Sequence, residues 1–252
     1  MFKSSGGLVF LLVVLTCTFS PAHAELPQVQ NGLDYLNSSQ NADGNWDGGS
    51  SSVETTAATV SALETMKLVS YTGSTSYAKC MSWLQAQSPN SVGYIAERVR
   101  VLNPVDGSVN ALIAALDPLR GAWGGGDGYV TDILDTALAL QALKAVSYTN
   151  VATINTALAY LTTTQNTDGG WGFSTGDDSN VYMTAVVSTT LQQFPQMATI
   201  AAATNKATTY LLAHQNADGG FGDSPSTAYE TALAYSALAG NGRGRGDVGN
   251  VW

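Results

Sequence analysis

Carboxylic acids are the residues of this chain whose types and spacing best suit catalysis. Asp132 and Asp135 are three positions apart in Asp132-Ile133-Leu134-Asp135-Thr136-Ala137, at the head of an apolar run. On a helix both fall near one face. Glu54 and Glu230 stand just ahead of two comparable pairs, Thr56-Ala57 and Thr231-Ala232. Two carboxyls in a secluded site can act as general acid and base when their environments split their pKa values. Acids at a helix start also have a plain structural role, because they meet free amides and the positive end of the helix dipole.

Thiol and imidazole chemistry is bounded by number. The chain has two Cys, Cys17 and Cys80, and two His, His23 and His214. Removal of a processed leader leaves Cys80 and His214, too few for an intrachain disulfide or a tetrahedral Cys/His zinc site. Cys80 lies beside Met81 and Trp83 and is expected as a small buried apolar residue. His214 is expected at a helix C-terminus, where it suits the dipole. The run Asn41-Ala42-Asp43-Gly44-Asn45-Trp46-Asp47 faintly resembles a calcium loop but lacks its regular ligand spacing. Arg245-Gly246-Asp247 is a weak adhesion motif. No metal or cofactor is expected.

The start of the chain reads as an address. Lys3 precedes an apolar stretch from Leu8 to Leu15, then Ser20-Pro21-Ala22-His23-Ala24. This is the pattern of a secretory signal peptide, with cleavage expected after Ala24 and a secreted or periplasmic product. Lipid attachment at Cys17 is a rival reading, disfavoured by Thr16. The apolar stretch is too short for a membrane span, and none is expected later. Formal charge is −9 and the pI about 4.4, with lysines scattered at 67, 79, 144 and 206. Nucleic acid is therefore not an expected partner.

The elements that must position these groups are repeats. Gln40-Asn41-Ala42-Asp43-Gly44-Asn45-Trp46, Gln165-Asn166-Thr167-Asp168-Gly169-Gly170-Trp171 and Gln215-Asn216-Ala217-Asp218-Gly219-Gly220-Phe221 share one pattern, and Leu119-Arg120-Gly121-Ala122-Trp123 is a reduced copy. Each precedes a stretch led by Thr-Ala, at Thr56, Thr136, Thr184 and Thr231, that reaches Leu63, Leu143, Leu191 and Leu238 at equal offsets. A recurrence of roughly 50 residues with one compressed pair marks a repeat architecture of helix, glycine turn, helix. Five hairpins are predicted. Their first helices run near 27–40, 74–87, 108–119, 150–165 and 200–215. Their second helices run near 53–69, 93–103, 130–147, 180–194 and 227–240. Gln40, Gln165 and Gln215 are expected to satisfy orphan groups at helix ends, and Trp46, Trp123, Trp171 and Phe221 to cover the gaps between hairpins.

Gln-x-x-x-Gly-x-Trp turns between alternating helices resemble the repeat of squalene–hopene and oxidosqualene cyclases and of protein prenyltransferase β subunits. The resemblance covers about 27–240. It implies an all-α fold, an α/α toroid (a partial or small barrel of about five hairpins), with inner helices around a central cavity. It also implies a domain over 25–240, after the leader at 1–24 and before a flexible Gly-rich tail at 241–252. The cyclases carry Asp-x-Asp-Asp-Thr-Ala, whose middle Asp protonates the substrate; Leu134 occupies that place here. The zinc of prenyltransferases needs Asp, Cys and His, and Cys80 and His214 fall on expected outer helices.

The residue before each Thr-Ala pair is Thr55, Asp135, Met183 or Glu230, and the one before that is Glu54, Leu134, Tyr182 or Tyr229. These starts are expected to face one end of the cavity, with Tyr129, Tyr182, Tyr229 and Met183 lining it. Such a mixture of acids and tyrosines suits a polar or weakly cationic ligand. Three functions follow as expectations. The first is a non-catalytic module binding an apolar or mixed small molecule, or a protein. The second is a terpene-cyclase-type enzyme using Asp135 or Glu54. The third is a polysaccharide lyase or hydrolase using Asp132 and Asp135. Five hairpins where the family closes with six suggest that a protein partner or further sequence completes the ring, or that the toroid is small or open.

Overall fold

The computed structural model describes residues 27–47, 53, 55–57, 59–60, 74–102, 107–126, 129–195, 197–222 and 225–240. The leader, Glu54, most of the helix predicted over 53–69 and the tail lie outside the described residues. The chain divides into two compact units, 1–39 and 40–252. The first contributes helix α1 (Pro27–Ser39), on whose surface the Gln30 amide donates to Asp34.

The second unit contains eight helices with defined bounds: α2 (Thr75–Ala86), α3 (Val92–Leu102), α4 (Ser108–Ala114), α5 (Ile133–Ala145), α6 (Val151–Thr163), α7 (Val181–Gln192), α8 (Ala198–Ala213) and α9 (Ala228–Gly240). Among the described residues β-structure is limited to four isolated bridges. The helices form two layers. In the inner layer α3, α5, α7 and α9 pack one against the next, while α2 and α4 back α3, α6 backs α5, and α8 backs α7. Small residues permit this close approach: Ala137, Ala139 and Ala142 on α5 are fully buried beside Leu140 and Leu143. The layering is that of the predicted all-α toroid repeat.

One predicted boundary is corrected. The third outer helix was expected to reach residue 119 but stops at Ala114. Pro118 disfavours helical backbone at Asp117. The chain turns there instead, with the Asp117 carboxylate accepting from the amides of Leu119 and Arg120 and Gly121 adopting a φ of 63°.

The turns are locked by one device used four times. The amides of Trp46, Trp123, Trp171 and Phe221 donate to the hydroxyls of Thr56, Thr136, Thr184 and Thr231 at 3.1, 3.0, 3.1 and 2.9 Å. In three units the residue before the inner helix returns the bond: Asp132, Asn180 and Thr227 donate backbone N–H to the carbonyls of Trp123, Trp171 and Phe221. Each aromatic ring is thus sewn to the start of its inner helix, and Trp123, Trp171 and Phe221 are fully buried.

The glutamines serve a different partner from the one expected. Gln40 and Gln165 each close their own turn, on Gly44 and Gly169, and also donate to the next outer helix at Ser76 and Ala203. These carbonyls lie in the first turn of α2 and the second turn of α8, where they are not orphans of a helix C-terminus. Gly169 (φ +93°) sits so close to α8 that a Cβ would stand 2.7 Å from the Lys206 carbonyl oxygen. Gly44 meets Lys79 of α2 in the same way. A different knot joins α2 to its neighbours. Buried Arg98 of α3 donates to the carbonyls of Leu84 and Gln85 at the end of α2 and to the Ser108 hydroxyl at the start of α4. It thereby satisfies carbonyls that the helix end leaves open.

Candidate functional site

A cavity of about 530 Å³ lies among the four inner helices. Its wall repeats in register. Counting from each Thr-Ala threonine, the residues two before, two after and five after line it: Leu134, Leu138 and Gln141 on α5; Tyr182, Val186 and Thr189 on α7; Tyr229, Leu233 and Ser236 on α9. At 3.6 residues per turn these offsets fall on one narrow stripe. Helix α3 completes the wall with Gly93, Tyr94, Glu97 and Arg100.

The position one before the threonine is turned about 100° away from that stripe; Asp135 still reaches the cavity from there, but two other expectations at this offset are corrected. Met183 is fully buried in the core and does not line the cavity. Glu230 lies at the start of α9, where its carboxylate accepts from the Thr227 hydroxyl at 2.9 Å, and it lines a separate rim cleft. Tyr129 is also absent from the cavity wall: it is 76% exposed on the loop before α5, beside Gly125 and Gly126. Thr55, at the same offset in the first repeat, is half-buried.

Asp135 is the acid that does reach the cavity. Asp132 is occupied as the N-cap of α5, accepting from the Asp135 amide at 2.8 Å. Burial pushes the Asp135 carboxyl up to about 7; the hydrogen bond and negative charge of Asp132 push the same way, against a stabilising bond from the Gly93 amide. Gly93 has no side chain, and a Cβ there would come within 3.2 Å of Asp135 Oδ1. Near neutral pH this carboxyl is therefore divided between an acid that can donate and a base that can accept.

Across the cavity Arg100 pairs with Glu97 at 2.5 Å, and its buried Nε–H has no hydrogen-bond partner among the described residues. Gln141 donates to the Thr190 hydroxyl. The cavity combines an apolar middle of Leu134, Leu138, Val186 and Leu233 with polar groups on both sides. Arg100, Glu97 and Gln141 were not singled out from the sequence, although their one-face spacing with Gly93 and Leu134 was readable.

Several residues with metal-binding side chains are committed within the protein. The turn aspartates Asp168 and Asp218 accept from the amides of Gly170 and Gly220 and the hydroxyls of Ser179 and Ser226. Cys80 is buried on α2, and His214 caps α8 with Nδ1 on the Tyr210 carbonyl and its ring stacked on Tyr210. Among the described residues there is no group of three or more His, Cys, Asp or Glu placed to hold a metal ion, and no helix is long and apolar enough to cross a membrane.

The profile of the prenyltransferase alpha-alpha toroid domain family matches the chain twice, over residues 9–95 and 94–241. Among curated protein sequences none matches. A protein from Actinoplanes has a similar solved structure, with a TM-score of 0.66 at 17% identity, covering 86% of each chain. The ent-copalyl diphosphate synthase from Streptomyces platensis has a TM-score of 0.60 at 19% identity; the match covers 83% of this chain but only 46% of that enzyme. A possible member of the GH105 family from Salmonella enterica serovar Paratyphi A has a TM-score of 0.54 at 14% identity, over 87% and 78% of the two chains. At these identities the likeness is one of fold.

Proposed function

From the premise that the chain belongs to the prenyltransferase α/α toroid family, we propose that it is a ligand-binding toroid. It holds a small molecule with an apolar body and oxygen acceptors, without the cyclases' protonation chemistry. The observation that carries this reading is the cavity wall itself. Leu134 stands where the cyclase motif has its proton donor, while a buried Arg100 N–H and a half-protonated Asp135 flank the apolar middle. The accessible part of the Arg100 guanidinium and the protonated form of Asp135 can each donate to an acceptor-bearing ligand. An acid of pKa about 7 is suited to hydrogen bonding and is far too weak to protonate an alkene unaided.

A second reading, acid catalysis by Asp135 on an isoprenoid or a polysaccharide, is favoured by that same carboxyl facing the cavity. One experiment separates them. Purified protein is analysed by native mass spectrometry for retained small molecules, then incubated with squalene and with polysaccharides. A retained ligand that is lost in Val186→Trp, without turnover, supports binding; turnover abolished by Asp135→Asn overturns it.

Export belongs to the same proposal, supported by the leader-like pattern from Lys3 to Ala24. N-terminal sequencing of secreted protein should begin at Glu25.

A further inference from the structure

Beside the cavity, a second cleft of about 910 Å³ opens between the turns that precede α7 and α9. Four aromatic side chains line it: Phe173, Tyr182, Tyr210 and Tyr229. Three of them form a run, Phe173–Tyr182 and Tyr182–Tyr229, each pair with ring centroids 6.1 Å apart. Phe173 and Tyr229 are 53% and 65% exposed, although burying such rings is strongly favourable.

The polar lining of the cleft narrows what could occupy it. The side chains of Ser179, Gln215, Asn216 and Thr227 already donate within the protein: to Asp168, to Gly219, to Gly222 and Ser226, and to Glu230. The Asn180 carbonyl caps α7. A polyhydroxylated ligand would therefore find few donors uncommitted. The charge of the lining is one-sided. Among the described residues Glu230 is its one carboxylate, and no Lys or Arg lines it. Gly222 leaves room for that carboxylate, since a Cβ there would overlap Glu230. His214, the remaining titratable group beside the tyrosines, is tied through Nδ1 to Tyr210. The Tyr210 hydroxyl is held above its ordinary pKa by burial and, secondarily, by the negative charge of Asp168.

π faces, a carboxylate and the absence of fixed positive charge form the chemistry that recognises an alkylated ammonium, which needs no hydrogen-bond acceptor geometry. We infer that this rim cleft binds organic cations of the quaternary-ammonium class, on Phe173, Tyr182 and Tyr229 with Glu230 as counter-ion.

Calorimetric titration with choline tests this, against its neutral carbon isostere 3,3-dimethylbutan-1-ol and a neutral gluco-oligosaccharide. Choline should bind saturably, the isostere at least about tenfold more weakly, and added salt should weaken choline binding. Glu230→Gln and Phe173→Ala should each weaken choline by about fivefold or more. Both residues line the cleft and not the cavity, so these variants report on the cleft alone. Phe173 is half exposed, and unchanged circular dichroism checks the fold. Equal affinity for the isostere, no saturable choline binding, or binding of the oligosaccharide in its place would each overturn the inference.

Discussion

Asp135 shows how one side chain carries both a stability cost and a candidate role. Its carboxyl is raised to about 7 in the folded chain, chiefly by burial and then by Asp132, whereas an unfolded Asp titrates near 4. Between those values the native state binds more protons than the unfolded state. Stability therefore falls as pH rises from about 4 to 7 and stays reduced above. Asp135→Asn should accordingly melt higher than the wild type at pH 8, and the gap should close below pH 4 in thermal scans. An equal melting difference at both pH values would contradict the shift. Thr136 makes a second residue-level prediction. It is fully buried and accepts from the Trp123 amide while donating to the Asp132 carbonyl at 2.7 Å. Thr136→Val keeps the shape but strands those groups, and should cost about 1–3 kcal/mol in denaturant unfolding.

At the scale of elements, the turn and its two helices behave as one joint. Trp171 fills that joint with a fully buried ring whose Nε1–H donates to the Leu161 carbonyl. Trp171→Ala should cost about 3–5 kcal/mol through cavity formation, read as a lowered denaturation midpoint. The turn glycines separate two causes that sequence alone merges. Gly169 and Gly219 both have positive φ, at 93° and 83°, but only Gly169 abuts another helix; at Gly219 nothing described lies within 4 Å. Gly169→Ala should therefore destabilise clearly more than Gly219→Ala, which carries the backbone strain alone. Equal losses would mean that the approach to Lys206 is easily relaxed.

At the scale of the molecule, fold was far more legible than site. Four turns in register announced the layered helices, because Gly, Gln and aromatic residues answer to local backbone demands that leave a mark in one dimension. The service of Thr136 and Thr184 to a preceding turn was invisible, since Thr-Ala gives no hint of where a hydroxyl points. Arg98 was equally silent: on a periodic helix nothing distinguishes a cation that ties three helices from one in solvent. The cavity was half readable. Tyr182, Tyr229 and Leu134 stood out beside the threonines. Met183 and Glu230 were grouped with them by adjacency, although one residue of helix is enough to rotate a side chain from the wall into the core or onto the rim. A Val186→Trp variant tests the wall: it should exclude any cavity ligand while leaving choline binding at the rim within about twofold, by parallel titration.

The in-register wall has a practical corollary. Of the nine in-register wall positions on α5, α7 and α9, only Val186 belongs to the buried core; the other eight lie outside it. Selectivity and foldedness are thus written largely in separate columns of the same repeat. A combinatorial library confined to those eight letters would explore new guests while leaving every fully buried residue of the scaffold unchanged.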